Sequence, residues 1–141
     1  MKANNPELGA SLIEFVLVLI PLLVLTFGSI EFGVAGYNKA MLTNASREGA
    51  RAGIVFDPGQ TSDRLSDTEI EQIVRGYCAD NLITFGDAAV PDVVVNRAGY
   101  TEGDDLTVTV TYVYGFLIID NLIPGFNPTM TLRARSVMRM E

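Results

Sequence analysis

From Phe15 to Ile30 the chain carries no charged residue, and Glu14 and Glu31 bracket that run. Only Pro21, Thr26, Gly28 and Ser29 interrupt its Phe, Val, Leu and Ile side chains. So much contiguous apolar surface must find an apolar partner. As a helix, the steps from Glu14 to Glu31 cover about 25 Å at roughly 1.5 Å per residue. That is slightly less than a bilayer core, and Phe32, Val34 and Ala35 can supply the rest. Without this segment, the remainder of the 141 residues reads as a small domain able to bury a modest core, especially against a long helix.

Three readings fit such a run. A cleaved secretory signal has a shorter apolar stretch than this run and a small-x-small cut site, for which Val34-Ala35-Gly36 is a candidate. The second reading is an ordinary transmembrane anchor. The third is a pilin-type helix, an anchor first and part of a filament core later. The segment Gly9-Ala10-Ser11-Leu12-Ile13-Glu14-Phe15 favours the third. Glu14 at the edge of a membrane helix is costly without a partner, so it is a functional candidate by default. A cut after Gly9 would leave Ala10 as a free ammonium four residues from Glu14, and the two charges could pair within one chain or between neighbours.

Those residues resemble a type IV prepilin cleavage site, with Gly before the cut and Glu as the fifth mature residue. The longer stretch Ala10 to Val55 resembles the TadE-like family, pilin-like or pseudopilin-like components of tight-adherence (Tad, Flp-type) pilus machines. It does so through Ile13-Glu14-Phe15, Leu19-Ile20-Pro21-Leu22-Leu23, Phe27-Gly28, Ile30-Glu31-Phe32-Gly33 and Leu42 to Arg51. The resemblance implies Gly9 and Ala10 as the processing site for a membrane prepilin peptidase, with Glu14 and Phe15 recognised in processing and assembly. It also implies a bacterial inner-membrane protein with a cytoplasmic N-terminus and an extracytoplasmic C-terminal domain. Lys2 is offset by Glu7, so charge does not set that orientation and the resemblance alone carries it. Pro21, Gly28, Glu31 and Gly33 are candidate helix-packing or interface positions, Pro21 because it removes a backbone hydrogen bond, the glycines because they thin the helix.

Beyond the membrane the helix should continue to about Val55, since no proline intervenes before Pro58 and alanines are frequent. Ala45, Gly49, Ala50, Ala52 and Gly53 form a narrow face on which the domain should lie, and Glu48 and Arg51 are spaced to pair. Asp57 to Asp67 reads as a loop. Ser66 with Glu69 forms a capping box opening a second helix to about Leu82, with Ile70, Ile73, Val74 and Tyr77 inward. Strands are expected over Val90–Arg97, Leu106–Tyr114 and Thr129–Met140, with Leu106, Val108, Val110, Tyr112 and Tyr114 on one face. Phe116 to Ile123 is either a core plug, the favoured reading, or an exposed contact patch. The fold class is therefore α+β: a leader over residues 1–9, a long helix over 10–55 whose part at about 12–35 crosses the membrane, and an α+β domain over 56–141. That domain holds one further helix and an antiparallel sheet of three or so strands.

Composition narrows function. The net charge is −7, and the one basic-rich stretch, Arg133, Arg135 and Arg139, alternates along a strand, so nucleic acid is a poor partner. That stretch reads as a solvated sheet face or as a contact with an acidic neighbouring subunit. There is no histidine and one cysteine, Cys78, which removes His-based nucleophile systems, intrachain disulfides and the common zinc sites. Cys78 reads as a small apolar residue on a helix face. Asp57, Asp63, Asp67, Asp104 and Asp105 read as turn carboxylates without a calcium-loop spacing. No catalytic residue, cofactor, metal or small-molecule substrate is expected. The expected role is a structural minor pilin or pseudopilin whose partners are prepilin peptidase, the inner membrane and other pilin-like subunits. A permanent single-pass scaffold of the pilus machine is the alternative, and a major filament-forming pilin comes behind it.

Overall fold

The computed structural model of the chain describes residues 6–55, 64–85, 90–117 and 129–140. A single helix, α1, runs from Pro6 to Ile54, starting at Pro6 rather than at the expected Ala10. Then come α2 (Asp67–Asn81), β1 (Asp92–Arg97), β2 (Asp105–Gly115) and β3 (Thr129–Arg139). The strands form one antiparallel sheet in the order β1-β2-β3. The architecture is the expected α+β arrangement, with α2 and the three strands within about two residues of their expected bounds. Internal contacts divide the chain into two units, one made of residues 1–33 and 116–128 and the other of residues 34–115 and 129–141.

In the second unit α1 buries Ala35, Asn38, Leu42, Ala45, Gly49 and Gly53, at steps of three and four that keep one stripe inward. Gly49 and Gly53 are a notch in that stripe. A Cβ at Gly53 would stand 2.5 Å from both Ile70 Cδ1 and Leu106 Cδ2, and one at Gly49 would overlap Val74 Cγ2. Only glycine lets α2 and β2 come so close to the helix. Ile70 meets Gly53 and Val74 meets Gly49, so α2 runs antiparallel to α1, with Ile70, Val74 and Cys78 as its buried residues. Ile73 and Tyr77, expected inward, are half-buried flanks, while Cys78 takes the deep position.

The strand alternation holds. Leu106, Val108, Val110 and Tyr114 are buried, and Tyr112 is half-buried. The register sets Leu106, Val108 and Val110 opposite Met138, Ser136 and Ala134, so the inner face is continuous across β2 and β3. Small inward residues on β3 leave room for α1, and Ser46 Oγ and Ser136 Oγ meet there at 2.8 Å.

Two polar devices fix the frame. The capping box forms as the spacing requires, with Glu69 N–H donating to Ser66 Oγ and Ser66 N–H to the Glu69 carboxylate. Asn38, fully buried on α1, donates from Nδ2 to Ile83 O and accepts from Ile83 N–H, both at 2.9 Å. One amide thus satisfies both the N–H and the C=O of Ile83 in the stretch after α2 and holds it on the helix. Some expectations need correction. Asp67 is not a turn residue but lies in the first turn of α2, where a carboxylate is favourable, and it pairs with Arg97. Asp105 opens β2 and pairs with Arg139 at 3.2 Å. Glu48 and Arg51 do not form the expected ion pair. Asp57 and Asp63 lie outside the described residues, as do residues 118–123 of the Phe116–Ile123 segment.

Candidate membrane and assembly site

The first unit contains the apolar part of α1, and almost nothing covers it. Leu12, Ile13, Phe15, Leu17, Val18 and Leu25 are 60% or more exposed. The most apolar 18-residue window of this helix reaches a mean hydropathy of 2.5, and none of it is buried within the protein. An amphipathic helix of a water-soluble domain buries one side; here Leu19, Leu23, Val24 and Phe27 are half-buried and no residue from Leu12 to Ile30 is buried. It is the one described helix long and apolar enough to cross a membrane.

Its polar groups are arranged for lipid. Thr26 Oγ1 donates to Leu22 O at 2.8 Å and Ser29 Oγ to Leu25 O at 2.7 Å, so both hydroxyls are satisfied within their own helix. Pro21 sits inside α1 without ending it. Its missing N–H frees the Leu17 carbonyl, four residues earlier. Leu12, Ile13, Val16, Leu17, Ile20 and Pro21 line a shallow, almost wholly apolar groove along the helix.

Each expected site residue has a clear position. Gly9, Ala10, Glu14 and Phe15 are all helical and exposed, so Ala10 and Glu14, four residues apart, share a face. The Gly9–Ala10 bond lies inside α1, less than two turns from its start at Pro6. A side chain added at Gly28 or Gly33 would meet nothing within 4 Å, so both glycines leave open helix surface. Glu31 is fully buried, unlike Glu14. Beside it Phe32 meets the Phe116 ring edge-to-face, with centroids 5.6 Å apart. Phe116 is buried and Leu117 is 41% exposed, so the described start of the Phe116–Ile123 segment contributes one plugging ring.

Residues 9–51 match the model of the family described as TadE-like protein. This stretch is TadE-like. The match covers the membrane-span candidate and most of the buried stripe of α1, and it ends before α2 and the sheet. Neither the curated proteins nor the solved structures hold a significant match to the chain. The TadE-like match and the apolar helix together suggest association with Tad pili and a membrane, α1 being the one candidate span among the described residues.

Elsewhere, no described cluster of His, Cys, Asp or Glu could hold a metal ion. Cys78 is fully buried, and desolvation pushes its thiol up to about 11, which keeps it protonated and unreactive. The Arg97 guanidinium, stacked 4.4 Å from the Tyr100 ring centroid, pairs with Asp67 and donates to Leu65 O at 3.2 Å. It ties β1 to the start of α2. Sequence reasoning missed this cluster and the Asn38 clamp. For Asn38 the available signal was a polar residue in the inward stripe of α1.

Proposed function

We propose that this chain is a structural minor pilin or pseudopilin of a Tad/Flp-type pilus, cut after Gly9 by a prepilin peptidase and held in the inner membrane until assembly. The N-terminus then faces the cytoplasm and the α+β domain lies outside it. The observation that carries the reading is the apolar helix with no buried residue from Leu12 to Ile30 and with Glu14 exposed among its side chains.

Lipid is as apolar as a neighbouring pilin helix, so moving from one to the other gains little from hydrophobicity. Packing and charge must supply the preference. A carboxylate at the centre of a membrane helix costs about 2.5–3.5 kcal/mol, and less near the end. Cleavage turns the Ala10 nitrogen into an ammonium that can offset the Glu14 charge, in the same chain or in the next. Because the bond to be cut lies in α1, the helix must unwind there to present it to a protease. No catalytic role, cofactor, nucleic acid or small-molecule substrate enters this reading.

The test is the intact mass of the protein from its native membrane or filaments. A chain beginning at Ala10 supports the proposal. A chain beginning at Met1 rejects the processing and makes a permanent membrane-bound scaffold of the pilus machine the better reading. Recovery from sheared filaments distinguishes the subunit from the scaffold, and its stoichiometry there separates a minor from a major pilin.

A further inference from the structure

The sheet has two edges of different character. The edge at β1 is flanked by α2, and Arg75 donates to Pro91 O at 3.1 Å next to it. The edge at β3 is eleven residues long. Its hydrogen-bonding phase follows from its end, where Met140 N–H donates to Asp104 O at 2.9 Å. In an antiparallel ladder bonded and non-bonded pairs alternate. The even residues of β3 therefore bond β2, and Thr131, Arg133, Arg135 and Val137 turn their N–H and C=O groups to the open side. One of these groups is occupied: Lys39, from α1, donates its ammonium to Arg133 O. No other described backbone group bonds them.

Charge says what can lie there. The residues whose main chain faces the open side carry side chains on the outer face of the sheet, where Arg133, Arg135 and Val137 are exposed. Arg139 has Asp105 as its partner, but Arg133 and Arg135 have no carboxylate partner among the described residues. Lys39 adds a third cation beside them. Opposite charges directly across a strand pair stabilise it and like charges destabilise it. A second copy of β3 would set arginines against arginines, so self-pairing is disfavoured, as at other charged edges.

We propose that the β3 edge receives an extended acidic segment of another protein as a fourth strand, with Asp or Glu at alternate positions opposite Arg133 and Arg135. The Lys39 ammonium leaves Arg133 O as the strand arrives and takes one of its carboxylates. Main-chain bonds supply the affinity and the alternate acids the selectivity. This inference rests on the sheet alone and stands or falls independently of processing after Gly9.

The test uses the full chain in zwitterionic detergent micelles with a nine-residue peptide alternating Glu and Val, and the same peptide with Lys for Glu as control. Binding is read by anisotropy of the labelled peptide, and amide hydrogen exchange locates it. The Glu peptide is expected to bind and to slow exchange at Thr131, Arg133, Arg135 and Val137 at least tenfold, leaving the even residues of β3 unchanged; the Lys peptide is not. The double variant Arg133→Glu, Arg135→Glu should reverse the preference between the peptides, and Arg135→Ala should weaken the Glu peptide severalfold in case the double variant does not fold. Absence of binding, equal binding of both peptides, or binding without slowing of the odd-numbered amides would overturn the proposal. So would the same slowing produced by anionic lipid alone.

Discussion

Replacing Gly49 by alanine should destabilise the domain, whereas replacing Gly36 by alanine should stabilise it, although the same methyl group is added to the same helix. Alanine is favoured over glycine within a helix by roughly 0.8–1.0 kcal/mol, and this gain applies at both sites. At Gly36 nothing lies within 4 Å of the new Cβ, so the gain stands alone. At Gly49 the new Cβ overlaps Val74 Cγ2 and stands 3.4 Å from Ile70 Cγ2. Val74 is β-branched with few rotamers to retreat into, and it is fully buried. Overpacking of this kind costs about 1–3 kcal/mol. The two variants should therefore differ by about 1–3 kcal/mol, Gly36→Ala lying above the parent and Gly49→Ala up to about 2 kcal/mol below it. Cys78, buried on the same face of α2 as Val74, is the reporter. Its thiol reacts with an added disulfide reagent when the domain opens, and about 1.4 kcal/mol changes the open population tenfold. Gly49→Ala should label severalfold to tenfold faster than the parent, and Gly36→Ala about fourfold slower. Gly49→Ala labelling no faster than Gly36→Ala would refute the notch.

Asn38→Leu removes both hydrogen bonds to Ile83, which should cost about 1–3 kcal/mol in denaturant unfolding. Ser66→Ala removes the cap of α2 and should cost about 1 kcal/mol, read as a lowered melting temperature by circular dichroism. The Thr101 hydroxyl and backbone N–H hold the Asp104 carboxyl below its usual range. The stabilisation of that turn is therefore complete above the ordinary carboxylate pKa and lost as pH falls through the lower folded value, and Thr101 amide exchange should show it by faster intrinsic-corrected rates in acid. Glu14→Ala should leave the domain's unfolding unchanged, because Glu14 is exposed, while lowering recovery in filaments about tenfold, the effect of losing roughly 1.4 kcal/mol of charge pairing.

Periodicity made much of this fold readable. The alternation from Leu106 to Tyr114, the capping box at Ser66 and the small residues from Ala45 to Gly53 each have a local cause, so each can be seen in a few adjacent residues. What escaped was non-local. Asn38 pairs with main-chain atoms of Ile83, and a backbone partner leaves no mark in the side-chain sequence. Arg97 meets Asp67 from another element, so neither looked different from a surface charge. Arg133 and Arg135 were legible as an exposed alternating pair, but which edge of the sheet they border depends on strand order. The apolar helix was readable because no charge falls between Phe15 and Ile30; that Glu31 is buried while Glu14 is exposed was not, since both bracket the run equally.

The two halves of α1 follow different rules, and this bears on what the TadE-like stretch specifies. From Leu12 to Ile30 no residue is buried, and Leu19, Leu23, Val24, Phe27 and Gly28 are half-buried. From Ala35 to Gly53 one stripe is committed, and it includes Asn38 and the Gly49 notch. The matched residues, 9–51, contain both regimes. A membrane span alone would need only apolar residues and would tolerate alanine, leucine or valine at any of them. A glycine where a methyl group would strike Val74, or an asparagine matched to one peptide group, answers to packing against a particular domain. The matched stretch therefore carries two surfaces on one helix: an apolar one with no buried residue and one that seats the α+β domain. Substitutions in the first should alter partition and assembly without changing domain stability, while substitutions in the second should do the reverse.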